Sequence, residues 1–175
     1  MNANPTETQW QEQLLDGTQV LIRPISKEDA ERERRFIEEL SPESRYFRFL
    51  QGVKEPSPEL IAHLTDIDHN RDAAFVALLG HNGATRQIGV SRYYREADGD
   101  SAECAVVVAD AYQHKGLGSL LMRHLIEQAR ARGIKQLFSL DAADNRSMCD
   151  FAEHIGFACE TEAGDATVVV HRMYL

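Results

Sequence analysis

Two groups of side chains in residues 102–122 have the types and spacing to do chemistry. The first is Glu103, set in the β-branched run Ala102-Glu103-Cys104-Ala105-Val106-Val107-Val108. A carboxylate on a strand can accept a proton from a reacting group. The second is the run Gln113-His114-Lys115-Gly116-Leu117-Gly118-Ser119, which leads into an amphipathic helix. Strand, glycine turn and helix N-terminus together form a phosphate site. Unpaired N–H groups point out of the first helical turn, and the helix dipole adds partial positive charge. Gly116 and Gly118 let the backbone approach a bulky anion and adopt φ values that other residues resist.

The spacing separates the phosphate binders. A Walker loop ends in Gly-Lys-Ser/Thr, which this run lacks. A dinucleotide fingerprint needs a third glycine three residues after the second, and Leu121 stands there. What remains is Gln113-x-x-Gly116-x-Gly118. This motif resembles the acetyl-CoA pyrophosphate loop of the GNAT acetyltransferase superfamily, Arg/Gln-x-x-Gly-x-Gly/Ala. An ordinary strand-to-helix turn with glycines is the other reading of the motif taken alone.

The flanking chain supplies the elements that must hold this stretch. Residues 1–8 read as a disordered N-terminus and 9–175 as a single domain. Residues 10–25 read as a hairpin about Asp16-Gly17. Ser26-Lys27-Glu28-Asp29 opens a helix to about Leu40, with Ala30, Ile37 and Leu40 toward the core and Phe36 at the margin. Ser41-Pro42-Glu43 and Ser57-Pro58-Glu59 open two more. Strands follow at 72–79, 87–95 and 101–109, with turns at His81-Asn82-Gly83 and Asp98-Gly99-Asp100, and Gly89 marks a bulge. The helix from 117 to 132 carries apolar residues at 117, 121, 122, 125, 126 and 129, ending at Gly133. A strand (135–140), a helix (145–155) and a closing hairpin (157–175) complete an α/β chain of mixed type. It is expected to form a central mixed, mostly antiparallel sheet with helices on both faces.

Composition narrows the function classes. The chain has 175 residues, 43% hydrophobic and 27% charged, which fits one globular core. A net charge of -9 argues against nucleic acid and mildly favours a cationic substrate. No apolar run approaches the roughly 20 residues that span a bilayer, and the first residues carry no apolar signal core. Three cysteines without CxxC spacing imply no disulfide framework and a reducing cytoplasm. Seven histidines form no i, i+4 pair, so no metal site is expected.

A second resemblance covers nearly the whole chain. It rests on Ile22-Arg23-Pro24-Ile25, Leu40-Ser41-Pro42-Glu43-Ser44-Arg45-Tyr46-x-Arg48-Phe49, Leu64-Thr65-x-Ile67-Asp68 and Ala102-Glu103-x-Ala105-Val106-x-Val108. These look like the acetyltransferase domain of bacterial protein lysine acetyltransferases, known for acetylating acyl-CoA synthetases. Many members carry a large or regulatory extra region. This sequence shows neither, so their regulation is not carried over.

The resemblance implies roles. Glu103 matches the family's base, whereas position alone also permits a solvated strand-edge glutamate. Val106 and Val108 match the backbone that pairs with the pantetheine arm. Gln113, His114, Lys115, Gly116, Leu117, Gly118 and Ser119 match the pyrophosphate loop. Asn145, in Asn-x-x-Met-x-x-Phe-Ala-x-x-Ile-Gly-Phe, matches the asparagine that contacts the cofactor arm, and it also suits a helix N-cap. The usual tyrosine acid, seven residues later, is Ala152 here, with Tyr112 and Ser147 as substitutes. Period-2 alternation points Cys104 away from Glu103, which favours a structural thiol over an acetyl-cysteine intermediate. On the early helices, Phe49 reads as core and Tyr46 stays open between core and acceptor wall.

The expected activity is transfer of an acetyl group from acetyl-CoA to a primary amine, most of all a protein lysine, by direct attack in a ternary complex. A small-molecule amine acceptor and a catalytically silent acyl-CoA-binding module are the alternatives. Neither nucleic acid nor membrane is expected as a partner, and the sequence does not set the oligomeric state.

Overall fold

Alternating polarity builds the strands, and a 3.6-residue apolar stripe builds the longest helix. The computed structural model describes residues 8–49, 55–80, 85–161 and 164–175. The frayed N-terminus and the His81-Asn82-Gly83 turn expected above fall almost entirely or wholly outside these residues. Eight strands form one sheet in the order β1-β2-β3-β4-β5-β6-β8-β7. They are β1 (Trp10–Gln13), β2 (Gln19–Pro24), β3 (Ala73–Leu79), β4 (Arg86–Arg95), β5 (Ser101–Val108), β6 (Gln136–Ala142), β7 (Ala158–Thr161) and β8 (Val168–Tyr174). Every neighbouring pair is antiparallel except β5 and β6. That parallel contact requires a crossover, supplied by helix α4 (Leu117–Ala131). The other helices are α1 (Ala30–Glu39), α2 (Pro42–Phe49), α3 (Pro58–Thr65) and α5 (Arg146–His154).

Helices cover both faces, and β3 shows it in its side chains. Ala73, Phe75 and Ala77 join a core with Leu117, Leu121, Leu125 and Ala129 of α4. Ala74, Val76 and Leu78 join a second core with Phe36, Ile37 and Leu40 and with Ile61 and Leu64 of α3. A strand covered on both faces therefore reads as a continuous apolar run. The six apolar positions expected on α4 are all buried. Truncating one of them, as in Leu125→Ala, would cost about 2–5 kcal/mol. Phe36 is a correction: it is 2% exposed, inside the second core rather than at its margin, while Ala30 is only partly buried.

The capping signals act as the residue types require. Ser57 Oγ accepts from the Leu60 N–H at 3.1 Å, and Ser41 Oγ from the Ser44 N–H at 3.1 Å. Asp29 accepts from the Ser26 N–H at 2.9 Å, and a 3-10 turn (Lys27–Asp29) precedes α1. The β3–β4 register shifts between Ala77 and Leu78, opposite Gly89, where the bulge was expected.

Candidate active site

The site begins where β5 and β6 part. They pair only through Ser101, Ala102 and Glu103 with Gln136, Leu137 and Phe138. β5 continues to Val108 and β6 to Ala142 without pairing each other. Ala109 donates its N–H to Ile88 of β4 at 2.8 Å. Antiparallel alternation then turns the main-chain groups of Cys104, Val106 and Val108 away from β4, toward the opening. The side chains of Val106 and Val108 pack against the α4 core, so only their backbone faces the gap. The Val108 carbonyl accepts from Gln113 Nε2 at 3.2 Å.

The loop after β5 presents donors. Among the described residues, the N–H groups of His114, Lys115, Gly116, Leu117, Gly118 and Ser119 make no backbone hydrogen bond. The Gln113 N–H differs, since it donates to Asp110 at 3.4 Å. His114 (φ 59) and Gly116 (φ 85) both lie in the left-handed region. Positive φ values within a loop gather successive N–H groups into an anion-binding concavity. The two glycines divide the work. Gly116 supplies the left-handed turn, whereas a Cβ on Gly118 would stand 3.2 Å from the Phe151 ring of α5. Gly118 therefore serves the close packing of α4 on α5. Lys115 Nζ lies 3.1 Å from Asp16 Oδ2 and 5.1 Å from the Tyr112 ring centroid. The Asp16 carboxyl is held down to about 2 by hydrogen bonds from Thr18 and by Lys115.

Glu103 stands at the last paired position before the strands part, on the face away from α4. It is exposed and lines a cleft of about 280 Å³ with Arg48, His63, Arg92 and Tyr94. Among the described residues lining that cleft, it is the only carboxylate. His63 stacks on Tyr94, with ring centroids 5.3 Å apart. Arg92, 2% exposed, donates to Glu33 Oε1 at 2.7 Å and to the Leu64 carbonyl at 2.8 Å. Gln87 donates to the other Glu33 oxygen. Burial and the charge of Arg92 pull the Arg48 guanidinium down to about 10. Phe49 packs on the second core as expected, and Arg48 lies against its ring. Tyr46 is 48% exposed.

Cys104 borders the same cleft, but its side chain packs into the core on the opposite face and it is 4% exposed. Burial pushes its thiol up to about 12, so it stays protonated at neutral pH. Asn145 is the N-cap of α5, its Oδ1 accepting from the Met148 N–H at 3.2 Å. Ala152 is buried in the α4-side core.

Three arrangements escaped the sequence. Asp110 holds α2 to the end of β5, accepting from the Ser41 N–H at 3.0 Å and from the Ser41 and Ser44 hydroxyls at 2.8 Å each. His124, on the apolar side of α4, stacks on Trp10 and meets Glu12 at 2.7 Å. Cys149, Cys159 and His171 come together from α5, β7 and β8, although no ligand spacing links them in sequence. Partners far along the chain leave no local periodicity to detect.

Residues 31–157 match the acetyltransferase (GNAT) family. The chain belongs to that family. Acetyltransferase PA5475 of Pseudomonas aeruginosa is 49% identical to this GNAT protein over 166 residues, 95% of this chain and 89% of that one. Acetyltransferase Pat of Mycolicibacterium smegmatis is 32% identical over 145 residues, 82% of this chain but only 43% of Pat. The solved GNAT domain of S. lividans PAT aligns with a TM-score of 0.88 at 29% identity, covering 99% of this chain and all of that domain. This GNAT chain is accordingly an acetyl-CoA-dependent N-acetyltransferase. Its residues fit that cosubstrate: a donor-lined concavity suits a pyrophosphate, and a parted strand edge suits an amide-bearing arm. No helix among the described residues is long and apolar enough to cross a membrane.

Proposed function

We propose that this GNAT enzyme acetylates a protein lysine by direct attack in a ternary complex, with Glu103 as the base. The observation that carries the reading is the position of Glu103, at the parting of β5 and β6 and in the acceptor cleft. Acetyl-CoA supplies an activated thioester. The main chain of Val106 and Val108 would align its arm, residues 114–119 its pyrophosphate, and Asn145 would contact the arm beside its cap. Gln113 would hold the loop in place, since its Nε2 donates to the Val108 carbonyl and its own N–H to Asp110.

The cleft's charges favour one amine over many. Glu103 meets a single ammonium, while Arg48 opposes any further positive charge, the charge of Arg92 being balanced by Glu33. A polyamine or aminoglycoside would bring several. Arg48 likewise disfavours the protonated amine and so assists its deprotonation. The Cys104 side chain is turned into the α4-side core and stays protonated, which supports attack without an acetyl-enzyme. A thiol of pKa about 8.5 leaves without a strong acid, which accommodates Ala152. The three free cysteines fit a reducing cytoplasm.

The test is CoA release against a panel of candidate proteins, including an acyl-CoA synthetase, and of small amines, with acetyl-lysine mapped by mass spectrometry. Turnover on a protein lysine at rates above every small amine is expected. Turnover on small amines alone would replace the acceptor. Tight acetyl-CoA binding without turnover on any acceptor would leave a binding module.

A further inference from the structure

Cys149 on α5, Cys159 on β7 and His171 on β8 bring two sulfurs and one ring nitrogen within 4.8 Å of one another. Cys159 and His171 are direct partners in the β7–β8 ladder, so their side chains share a face. Cys149 sits on the first turns of α5, where its N–H donates to the Asn145 carbonyl at 3.1 Å. His171 is 0% exposed. Its Nδ1 is 2.9 Å from Asp141 Oδ2, and Ser139 Oγ donates to that oxygen at 2.7 Å. A carboxylate partner fixes the proton on Nδ1 and leaves a lone pair on Nε2. Nε2 is buried and has no hydrogen-bond partner among the described residues. Buried polar atoms are normally satisfied, so this one calls for a ligand or another explanation. A histidine oriented by a carboxylate, with its second nitrogen free to coordinate, is the arrangement found behind metal-bound imidazoles.

We propose that Cys149, Cys159 and His171 form a site for a zinc-type cation, two thiolates and Nε2, with water as the fourth ligand. The water takes the side on which Cys159 is exposed. Binding releases two thiol protons to solvent, and the dication with two thiolates leaves a neutral centre. Ligands about 2.0–2.3 Å from a tetrahedral ion stand roughly 3.3–3.8 Å apart. Side-chain rotation of Cys159, which is exposed, and of Cys149 closes the remaining gap. The occupied site staples the first turns of α5, which Asn145 caps, to the β7–β8 ladder. The sequence raised no expectation of a metal site because the donors lie on three elements, and no spacing announces them.

The test uses the full chain, reduced and stripped with chelator, titrated anaerobically with Co²⁺. One equivalent should give a thiolate-to-cobalt charge-transfer band and tetrahedral d–d bands, both abolished by Zn²⁺. Cys159→Ser should weaken Zn²⁺ at least about tenfold while the metal-free protein keeps its circular dichroism and Tm. Asp141→Asn should weaken Zn²⁺ by about 10–100-fold, the usual effect of losing such a carboxylate. Cys104→Ala should leave the bands unchanged. Absence of tetrahedral bands at one equivalent overturns the site. So does unchanged Zn²⁺ affinity in Cys159→Ser, or loss of the bands in Cys104→Ala.

Discussion

Replacing Glu103 by glutamine removes a charge and almost no shape. Glu103 is exposed, and its backbone is paired on both sides, with Tyr94 of β4 and Phe138 of β6. The exchange strands no buried partner, so Tm should move by less than about 2 °C. The parted strand edge and the loop are untouched, so acetyl-CoA affinity should stay nearly constant. The loss falls on the reaction. A free lysine has a pKa of about 10.4, so the neutral amine costs about 4.6 kcal/mol at pH 7. In the proposed reading Arg48 would offset part of that, and the base would supply the proton route. Turnover should fall by about 10²–10⁴-fold, the usual worth of a positioned base. The assay is the initial rate of CoA release against acceptor concentration and pH. At low acceptor, the wild-type rate should rise with pH through an apparent pKa below that of free lysine. The variant's rate should follow the amine's own ionisation. Wild-type turnover with an unchanged pH profile in Glu103→Gln would refute the assignment and move the proton route to backbone-held water or to Tyr112.

Gly116→Ala forces a side chain into the left-handed region at φ 85, at about 1–2 kcal/mol. It should lower Tm by several degrees and shrink the Tm rise given by CoA; an undiminished rise would put the phosphate elsewhere. Cys104→Ala should retain most of its turnover, and mass spectrometry should find no acetyl group on Cys104 without acceptor. Asp29 is buried, which raises its pKa, but hydrogen bonds from Arg23 and the Ser26 N–H, with the charges of Arg23 and Arg32, outweigh burial and hold it low. Its folded value lies below the unfolded one, so its stabilisation is full above about pH 4 and fades as pH falls through the folded value. Asp29→Asn should lower Tm at pH 7 and flatten its fall in acid; parallel Tm curves would remove Asp29 from the acid response.

What the sequence disclosed was local. The pleat of β5 separated Glu103 from Cys104 because period 2 needs no tertiary information, and the two cores confirm that division. The caps at Ser41, Ser57 and Asn145 follow from side chains that reach only their own first turn. The failures share one cause. Glu33 and Arg92 look like surface charges, yet each is 2% exposed because its partner lies 59 residues away. His124 is buried by Trp10 and Glu12, from the other end of the chain. Phe36 looked marginal on a helical wheel because the wheel contains neither α3 nor the sheet. The motif gave the second glycine of the loop a place beside phosphate, and the position of Phe151 adds what its missing Cβ makes room for.

The short contact between β5 and β6 divides the sheet into two ladders. β1–β5 and β6–β8 are each built from antiparallel neighbours, and three residue pairs join them. On one face Leu137 and Met173 of the second ladder share a core with Leu121 and Leu125 of α4. The core on the other face draws nothing from residues 136–175. The sheet is thus braced along one side only, like a board split partway and glued at the back. Main-chain protection against hydrogen exchange should be weakest along this line in the free enzyme. A donor whose amides engage Val106 and Val108, as proposed, would bridge the split, so their exchange should slow on binding, and the slowing should spread into both ladders. The donor would then act as a temporary strand, a piece of the sheet that each turnover would remove and restore.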